Sequence, residues 1–91
     1  MKKELQRYRS AIDRIDRRIA RLLKKRLTLV KLVGRLKRKQ GLTVVQPERE
    51  GEILTRVTRS VSERETRDFL TAVYRALFKA SYRAEGDGEG V

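Results

Sequence analysis

The 91-residue sequence contains no cysteine, no histidine and no tryptophan, and it has a single proline. Without cysteine or histidine the chain forms no disulfide, no zinc finger and no imidazole-ligated metal site. The same absences exclude a thiolate nucleophile and a Ser-His-Asp triad. No apolar run approaches the roughly 20 residues that a membrane-spanning helix requires. The composition therefore excludes disulfide-stapled and zinc-finger proteins and cysteine- or histidine-dependent enzymes, and it gives no sign of a membrane-spanning helix.

Basic residues dominate what is present. Lysine and arginine number 24 against 12 aspartate and glutamate, so the formal net charge is +12. Such a charge predicts an anionic partner, and a nucleic acid, a membrane surface and a small acid all fit that description. The first residues, Met1-Lys2-Lys3-Glu4, pass directly into a charged amphipathic pattern, so we see no signal peptide and expect a cytoplasmic protein.

One long amphipathic helix is predicted from about residue 3 to about residue 39. Its seam recurs at alternating spacings of three and four and consists of Leu5, Tyr8, Ile12, Ile15, Ile19, Leu22, position 26, Leu29, Val33 and Leu36. Gly41 stands where a left-handed residue commonly ends a helix. A helix of this length measures about 55 Å, and the rest of the chain is too short to cover both of its faces. We therefore expect a homodimer in which the long helices pair.

Two shorter helices are predicted to follow. Pro47 suits the first turn of the second helix, which is expected to run to about Ser60. The sequence from Ser62 to Glu65 matches a capping box that would open the third helix. The predicted buried face of that helix consists of Phe69, Leu70, Val73, Leu77, Ala80 and Ala84. The fold class is thus all-α, with residues 1–85 as one domain and the glycine-rich residues 86–91 as a flexible tail.

An arginine interrupts the apolar seam at position 26. A guanidinium in such a seam is costly unless it meets an anion. Lys37 lies three turns later, within about 20° of the same face, and Val30 and Val33 lie between the two cations. This pair is suited to binding one small anion. The alternative is that Arg26 reaches the surface along its aliphatic stem and that Lys37 is an ordinary solvated charge.

Three further features are candidates for the same site. Arg9 lies about 25 Å before Arg26 along a helix, so it can approach such a site only from an antiparallel partner chain. Arg49 and Glu50 follow Pro47 at the start of a helix, and Ser81 and Glu85 share a helical face at a spacing of four. Taken singly, these residues also fit surface charge, helix-dipole complementation, small-residue packing and a solvated helix end.

In combination, these features resemble the all-helical (AroQ-type) chorismate mutases. The resemblance covers residues 5–85, and no insertion or deletion separates its motifs from Arg9 to Glu50. The strings that carry it are Arg9-Ser10-Ala11-Ile12-Asp13-Arg14-Ile15-Asp16, Leu22-Leu23-Lys24-Lys25-Arg26, Val33-Gly34-Arg35-Leu36-Lys37 and Pro47-Glu48-Arg49-Glu50.

The resemblance implies an intertwined homodimer of three-helix chains that converts chorismate to prephenate, the committed step toward phenylalanine and tyrosine. It implies that Arg26 and the partner's Arg9 bind the two substrate carboxylates, assisted by Arg49 and Ser81. It also implies that Glu50 accepts a hydrogen bond from the ring hydroxyl. Whether a partner enzyme of the shikimate pathway acts with the chain stays open at this stage.

The resemblance further implies that Lys37 and Glu85 are catalytic residues that donate hydrogen bonds to the ether oxygen of the substrate. Many family members have glutamine at the position of Glu85, and a carboxylate donates a hydrogen bond only when it is protonated. We therefore expect activity to fall with rising pH. At position 46 the chain has Gln46 where some relatives have aspartate, and the family uses this position partly through the backbone.

The implied reaction suits the available residue types. A unimolecular [3,3] rearrangement needs no nucleophile, metal or cofactor, so no cofactor is expected. An enzyme accelerates it by holding the flexible dianion in a compact conformation and by stabilising charge as the C–O bond stretches.

Three alternatives remain from the sequence. An isochorismate-pyruvate lyase shares this fold and most of the cations, but Glu50 argues for the mutase. A basic helical nucleic-acid-binding protein fits the charge, yet aromatic residues are only 5% of the chain and no recognition module is visible, so we expect no nucleic acid partner. A purely structural coiled-coil dimer leaves Arg26 unexplained.

Overall fold

The structure, a computed structural model, describes residues 1–86 and is built from helices. They are α1 (Lys2–Gln40), α2 (Pro47–Thr58) and α3 (Arg64–Glu85), and the described range contains no strand. The predicted all-α class, with one very long N-terminal helix and two shorter ones, is confirmed. Of the predicted tail, Gly86 ends α3, and residues 87–91 lie outside the described range.

Helix α1 ends where the sequence predicts. Gly41 adopts a left-handed conformation with φ of 69°, which costs a glycine little. The N–H of Leu42 donates to the carbonyl oxygen of Lys37 at 2.8 Å, closing the last turn in a Schellman arrangement. The chain therefore leaves α1 directly beside Lys37, and residues 41–46 lead from there to α2.

Helix α2 begins at Pro47 as predicted and ends at Thr58, two residues earlier than expected. Its apolar stripe, Ile53, Leu54 and Val57, is half-buried. Helix α3 packs against both α1 and α2, whereas α1 and α2 meet mainly through α3. The first turn of α2 is thereby held beside the C-terminal half of α3.

The predicted capping box at the start of α3 is wrong. The helix begins at Arg64, with Glu63 in an extended conformation as the N-cap residue, and no side chain caps it. Ser62 lies one residue too early to cap this helix. Instead, the Thr66 hydroxyl donates to the Glu63 carboxylate at 2.5 Å.

The predicted buried face of α3 is only partly right. Of its six residues, Leu70, Leu77 and Ala84 are half-buried, whereas Phe69, Val73 and Ala80 are exposed. The buried apolar residue is Phe78, which has 5% exposure. Phe69 and Phe78 lie about 180° apart around a helix, so only one of them can face α1. The helix is turned so that Phe78, Ser81 and Glu85 face the other two helices.

Gly34 allows α1 and α3 to approach closely. A Cβ atom at this position would lie 2.9 Å from both the Cα and the carbonyl oxygen of Glu85. Both are backbone atoms, which do not move aside as the end of a flexible side chain would. The absence of a side chain at position 34 therefore sets where Glu85 lies.

The Gly34→Ala substitution is expected to destabilise the fold by about 1–3 kcal/mol, because the two helices must separate to admit the methyl group. Chemical denaturation followed by circular dichroism measures this change. The matched control is Gly51→Ala, since nothing lies within 4 Å of a Cβ at that position in α2. The control is expected to gain up to about 1 kcal/mol from helix propensity. A G34A variant as stable as the wild type would contradict the close packing.

Most large apolar side chains of α1 are exposed on the single chain. Within residues 1–86, Phe78 is the one large apolar side chain that is buried. The exposed seam of α1 comprises Leu5, Tyr8, Ile12, Ile15, Ile19, Leu22, Leu29, Val33 and Leu36, each at least 45% exposed. The chain by itself therefore leaves this apolar face uncovered. None of the described helices combines the length and apolar character needed to cross a membrane.

Candidate active site

A cavity of about 270 Å³ lies between the C-terminal half of α1, the start of α2 and the end of α3. This volume is near the lower end of the range for small-molecule sites. Its lining includes seven of the eight predicted site residues: Arg26, Lys37, Gln46, Arg49, Glu50, Ser81 and Glu85. The apolar part of the lining is Leu29, Val30, Val33, Ile53 and Phe78. Cations and an apolar floor thus share one concave surface.

Arg26 is half-buried in the cavity wall. Its Nη1 donates to the hydroxyl of Ser81 at 2.6 Å, and that hydroxyl donates to the carbonyl oxygen of Leu77 at 2.7 Å. A guanidinium carries five N–H donors in a planar fork. Ser81 therefore orients Arg26 while most of its donors stay available for an anion.

Lys37 and Glu85 form a buried ion pair. The Nζ of Lys37 lies 2.7 Å from Oε1 of Glu85, and the two side chains are only 10% and 7% exposed. The same Nζ donates to the carbonyl oxygen of Val44 at 2.7 Å. An ammonium group has three protons, so one remains for a ligand in the cavity.

The backbone around Glu85 is fixed as firmly as its side chain. Arg38 donates from Nη1 to the carbonyl oxygen of Glu85, which is one of the unpaired carbonyls at the end of α3. Gly86 then terminates the helix with φ of 98°. Together with the close approach of Gly34, these contacts hold Glu85 against the end of α1.

The start of α2 brings three predicted residues to the cavity. Gln46 is the N-cap residue, and its carbonyl oxygen accepts the N–H groups of Arg49 and Glu50 at 3.1 and 3.2 Å. The side chain of Arg49 is 54% exposed and bonds to Glu52 at 3.1 Å. Exposed pairs of this kind contribute little to stability. Arg49 therefore lies at the cavity but is held by only a weak contact.

Tyr82 is a site residue that the sequence analysis missed. Its hydroxyl donates to Oε2 of Glu50 at 2.5 Å and accepts the backbone N–H of Gln46 at 3.3 Å. Partial burial raises the pKa of Tyr82 above the usual 10.0, and its hydrogen bond to Glu50 raises it further. The available signal was its position, because Tyr82 lies three residues before Glu85 and so shares its side of α3.

Arg9 is the predicted site residue that does not line the cavity. It is exposed in the N-terminal part of α1, about 25 Å along the helix from Arg26. A straight helix cannot bring both arginines of one chain to the same small ligand. The role of Arg9 therefore stays a prediction.

The cavity suits a small anion that also carries a hydroxyl group. Arg26 and Lys37 supply positive charge to its wall, and Glu50 supplies a hydrogen-bond acceptor. The apolar floor suits a hydrocarbon ring. In the described range, no group of three or more acidic side chains is placed to hold a metal ion.

Comparison with known proteins gives consistent family matches. Residues 8–86 match the family model described as chorismate mutase type II. The chain is 37% identical over 86 residues, or 90% of its length, to a bifunctional chorismate mutase/prephenate dehydratase from Aquifex aeolicus. T-proteins from Enterobacter agglomerans and Haemophilus influenzae are 36% and 38% identical over 92% and 85% of the chain. The match spans only 24%, 23% and 21% of these three relatives, respectively. The chain belongs to the chorismate mutase type II family.

Proposed function

We propose that this chain catalyses the rearrangement of chorismate to prephenate in phenylalanine and tyrosine biosynthesis. The observation that carries the proposal is the cavity, in which Arg26, Lys37 and Glu50 surround an apolar floor. Membership of the chorismate mutase type II family supports the same substrate. The relative from Aquifex aeolicus carries this activity in its name.

The charge arrangement fits the needs of the reaction. The rearrangement breaks the ether C–O bond and forms a C–C bond within one molecule, so the protein supplies orientation and electrostatic stabilisation. The fork of Arg26 is suited to a bidentate contact with a carboxylate. The third proton of Lys37 is suited to the ether oxygen, which gains negative charge as its bond to carbon stretches.

Glu50 and Arg49 complete the substrate contacts on the side of α2. In this proposal Glu50 accepts the hydrogen bond of the ring hydroxyl, and Arg49 assists at a carboxylate. Arg49 must first leave Glu52, and its exposed pair costs only about 0.2–1 kcal/mol to break. A carboxylate bound in the cavity would therefore compete with Glu52 for the Arg49 side chain.

We infer that the working form is a homodimer in which the α1 helices run antiparallel. The exposed apolar seam of α1 supports this inference, since a second copy would cover it. In such a dimer the partner's Arg9 would reach the middle of α1 and contact the second substrate carboxylate. Action in the cytoplasm stays a prediction from the sequence, and action together with a partner enzyme of the shikimate pathway stays an open alternative.

The direct test is the incubation of the purified chain with chorismate and, in parallel, with isochorismate. We expect loss of chorismate and formation of prephenate well above the uncatalysed rate. Pyruvate release from isochorismate, with chorismate untouched, would assign the chain to the lyase reaction instead. Turnover of neither substrate would overturn the proposal.

The Glu85→Gln variant is expected to have an activity that changes little with pH. In the wild type, Glu85 accepts a hydrogen bond from Lys37 as a carboxylate, so it must first take up a proton before it can donate to the ether oxygen, and we expect activity to fall as the pH rises. Glutamine donates at every pH and does not titrate. Rates at saturating chorismate, measured from acid to alkaline pH for both proteins, test this. A wild-type profile as flat as that of E85Q would remove Glu85 from this role.

A further inference from the structure

Tyr82 links three of the polar groups that surround the cavity. Its hydroxyl donates to Oε2 of Glu50 at 2.5 Å and accepts the backbone N–H of Gln46 at 3.3 Å. The Nζ of Lys37 lies 5.8 Å from the centre of its ring. The hydroxyl thus connects α3 to the first turn of α2, where Glu50 is located.

We propose that Tyr82 is a positioning residue that fixes Glu50 for recognition of the substrate's ring hydroxyl. The inference rests on the proposed function, since it needs a substrate whose hydroxyl meets Glu50. It assigns the phenol a role in specificity without any contact to the reacting atoms.

The geometry supports this role because a carboxylate has two oxygens. The phenol occupies Oε2 of Glu50, while Oε1 has no hydrogen-bond partner within residues 1–86. A carboxylate held through one oxygen cannot rotate freely about its terminal bond. The other oxygen is then presented in a fixed direction, which lowers the entropy lost when a hydroxyl binds.

The Gln46 contact adds a second fixed point. The N–H of the N-cap residue donates to the phenol oxygen, so the tyrosine hydroxyl takes part as both donor and acceptor. Since its single proton is engaged by Glu50, the direction of donation is defined by the contacts themselves. Phenylalanine at position 82 would fill the same space but lose both contacts.

The charges around Tyr82 keep its hydroxyl protonated. The charged groups that face it are Lys37, Glu50 and Glu85. Burial, followed by the hydrogen bond to Glu50 and the charges of the two carboxylates, raises the pKa of Tyr82, and the Gln46 N–H opposes this. The phenol therefore remains a donor beyond the pH at which an ordinary tyrosine ionises.

The Tyr82→Phe variant tests the proposal kinetically. We expect kcat/KM for chorismate to fall on the order of tenfold, which is the usual effect of losing one hydrogen bond to a charged group. For a chorismate analogue in which hydrogen replaces the ring hydroxyl, we expect the variant and the wild type to have the same kcat/KM. A general structural defect would slow both substrates.

The matched control is Tyr74→Phe. Tyr74 is on the same helix, where its ring packs 6.1 Å from that of Phe78, and its hydroxyl makes no hydrogen bond in the described part of the chain. Loss of the Tyr74 hydroxyl is expected to leave kcat/KM unchanged for both chorismate and the analogue. A Y82F variant that handles chorismate as well as Y74F does would overturn the inference.

A spectrophotometric titration of the phenols tests the Tyr82–Glu50 contact without any substrate. Tyr82 is expected to ionise above the usual tyrosine pKa of 10.0 and so to give a transition at high pH. This transition should be absent in Y82F, and it should shift to lower pH in Glu50→Gln, because the carboxylate charge is gone. An unshifted transition in E50Q would overturn the inference.

The two experiments separate the possible failures. A wild-type chain that leaves chorismate unchanged overturns the proposed function, and with it the role of Tyr82 in recognition. An active wild type with an equally active Y82F overturns the positioning role alone.

Discussion

The Lys37→Ala variant is expected to lose on the order of 10²–10³-fold in kcat/KM for chorismate, the usual effect of removing one donor that stabilises a developing negative charge. Lys37 has three protons, and Glu85 and the Val44 carbonyl occupy two of them at 2.7 Å each. The third is the proton assigned to the ether oxygen. Because this contact strengthens as the C–O bond breaks, we expect the loss chiefly in kcat rather than in KM.

Removal of Lys37 also leaves the buried carboxylate of Glu85 without its ion-pair partner, which is strongly destabilising. Lys37→Gln addresses this, because glutamine retains two N–H donors but carries no charge. It should fold better than K37A and still lose most of the activity. Lys39→Ala, an exposed position two residues later in α1, is the matched control for charge alone. A folded K37Q variant with wild-type kcat would remove the ammonium group from the proposed mechanism.

Helix α1 and the start of α2 could be predicted from the sequence because local signals define them. The alternating spacing of apolar residues specifies α1, and Gly41 specifies its end. Pro47 likewise marks the first turn of α2. The candidate site residues were chosen from helical spacing and from the resemblance to the family. Seven of the eight line one cavity.

The rotation of α3 could not be predicted in the same way. This helix has apolar residues on opposite sides, since Phe69 and Phe78 lie about 180° apart. Helical spacing alone does not determine which side faces α1. In the structure Glu85 is buried on the same side as Phe78, and Phe69 is left exposed on the other. The close approach at Gly34 was equally invisible, because a glycine inside a helix is by itself only a weak helix former.

Tyr82 was missed for a related reason. Its contacts join the end of α3 to the start of α2, and the residues involved are 32 and 36 positions apart. Such a contact depends on how two helices pack and leaves no local pattern in the sequence. Residues that bind charge stand out in an apolar seam, whereas a residue that positions another one looks like ordinary packing.

Mixing two inactive variants, Arg9→Ala and Arg26→Ala, is expected to restore about one quarter of the wild-type activity. Each variant alone lacks one arginine in both sites of the proposed dimer. In a mixed dimer, the site built on the R9A chain has its own Arg26 and receives the partner's Arg9, so it is intact. The other site lacks both arginines. Random exchange gives about one half mixed dimers, each with one intact site of two.

The control is the same experiment with Arg26→Ala and Lys37→Ala. Arg26 and Lys37 line the same cavity within one chain, so no mixed dimer of these variants contains a complete site. The proteins are unfolded and refolded together to exchange subunits, and chorismate turnover is then measured. Recovery with the first pair but not the second requires both a dimer and an arginine supplied across its interface. Equal failure of both pairs, with the mixed dimers shown to have formed, would mean that Arg9 does not act across subunits.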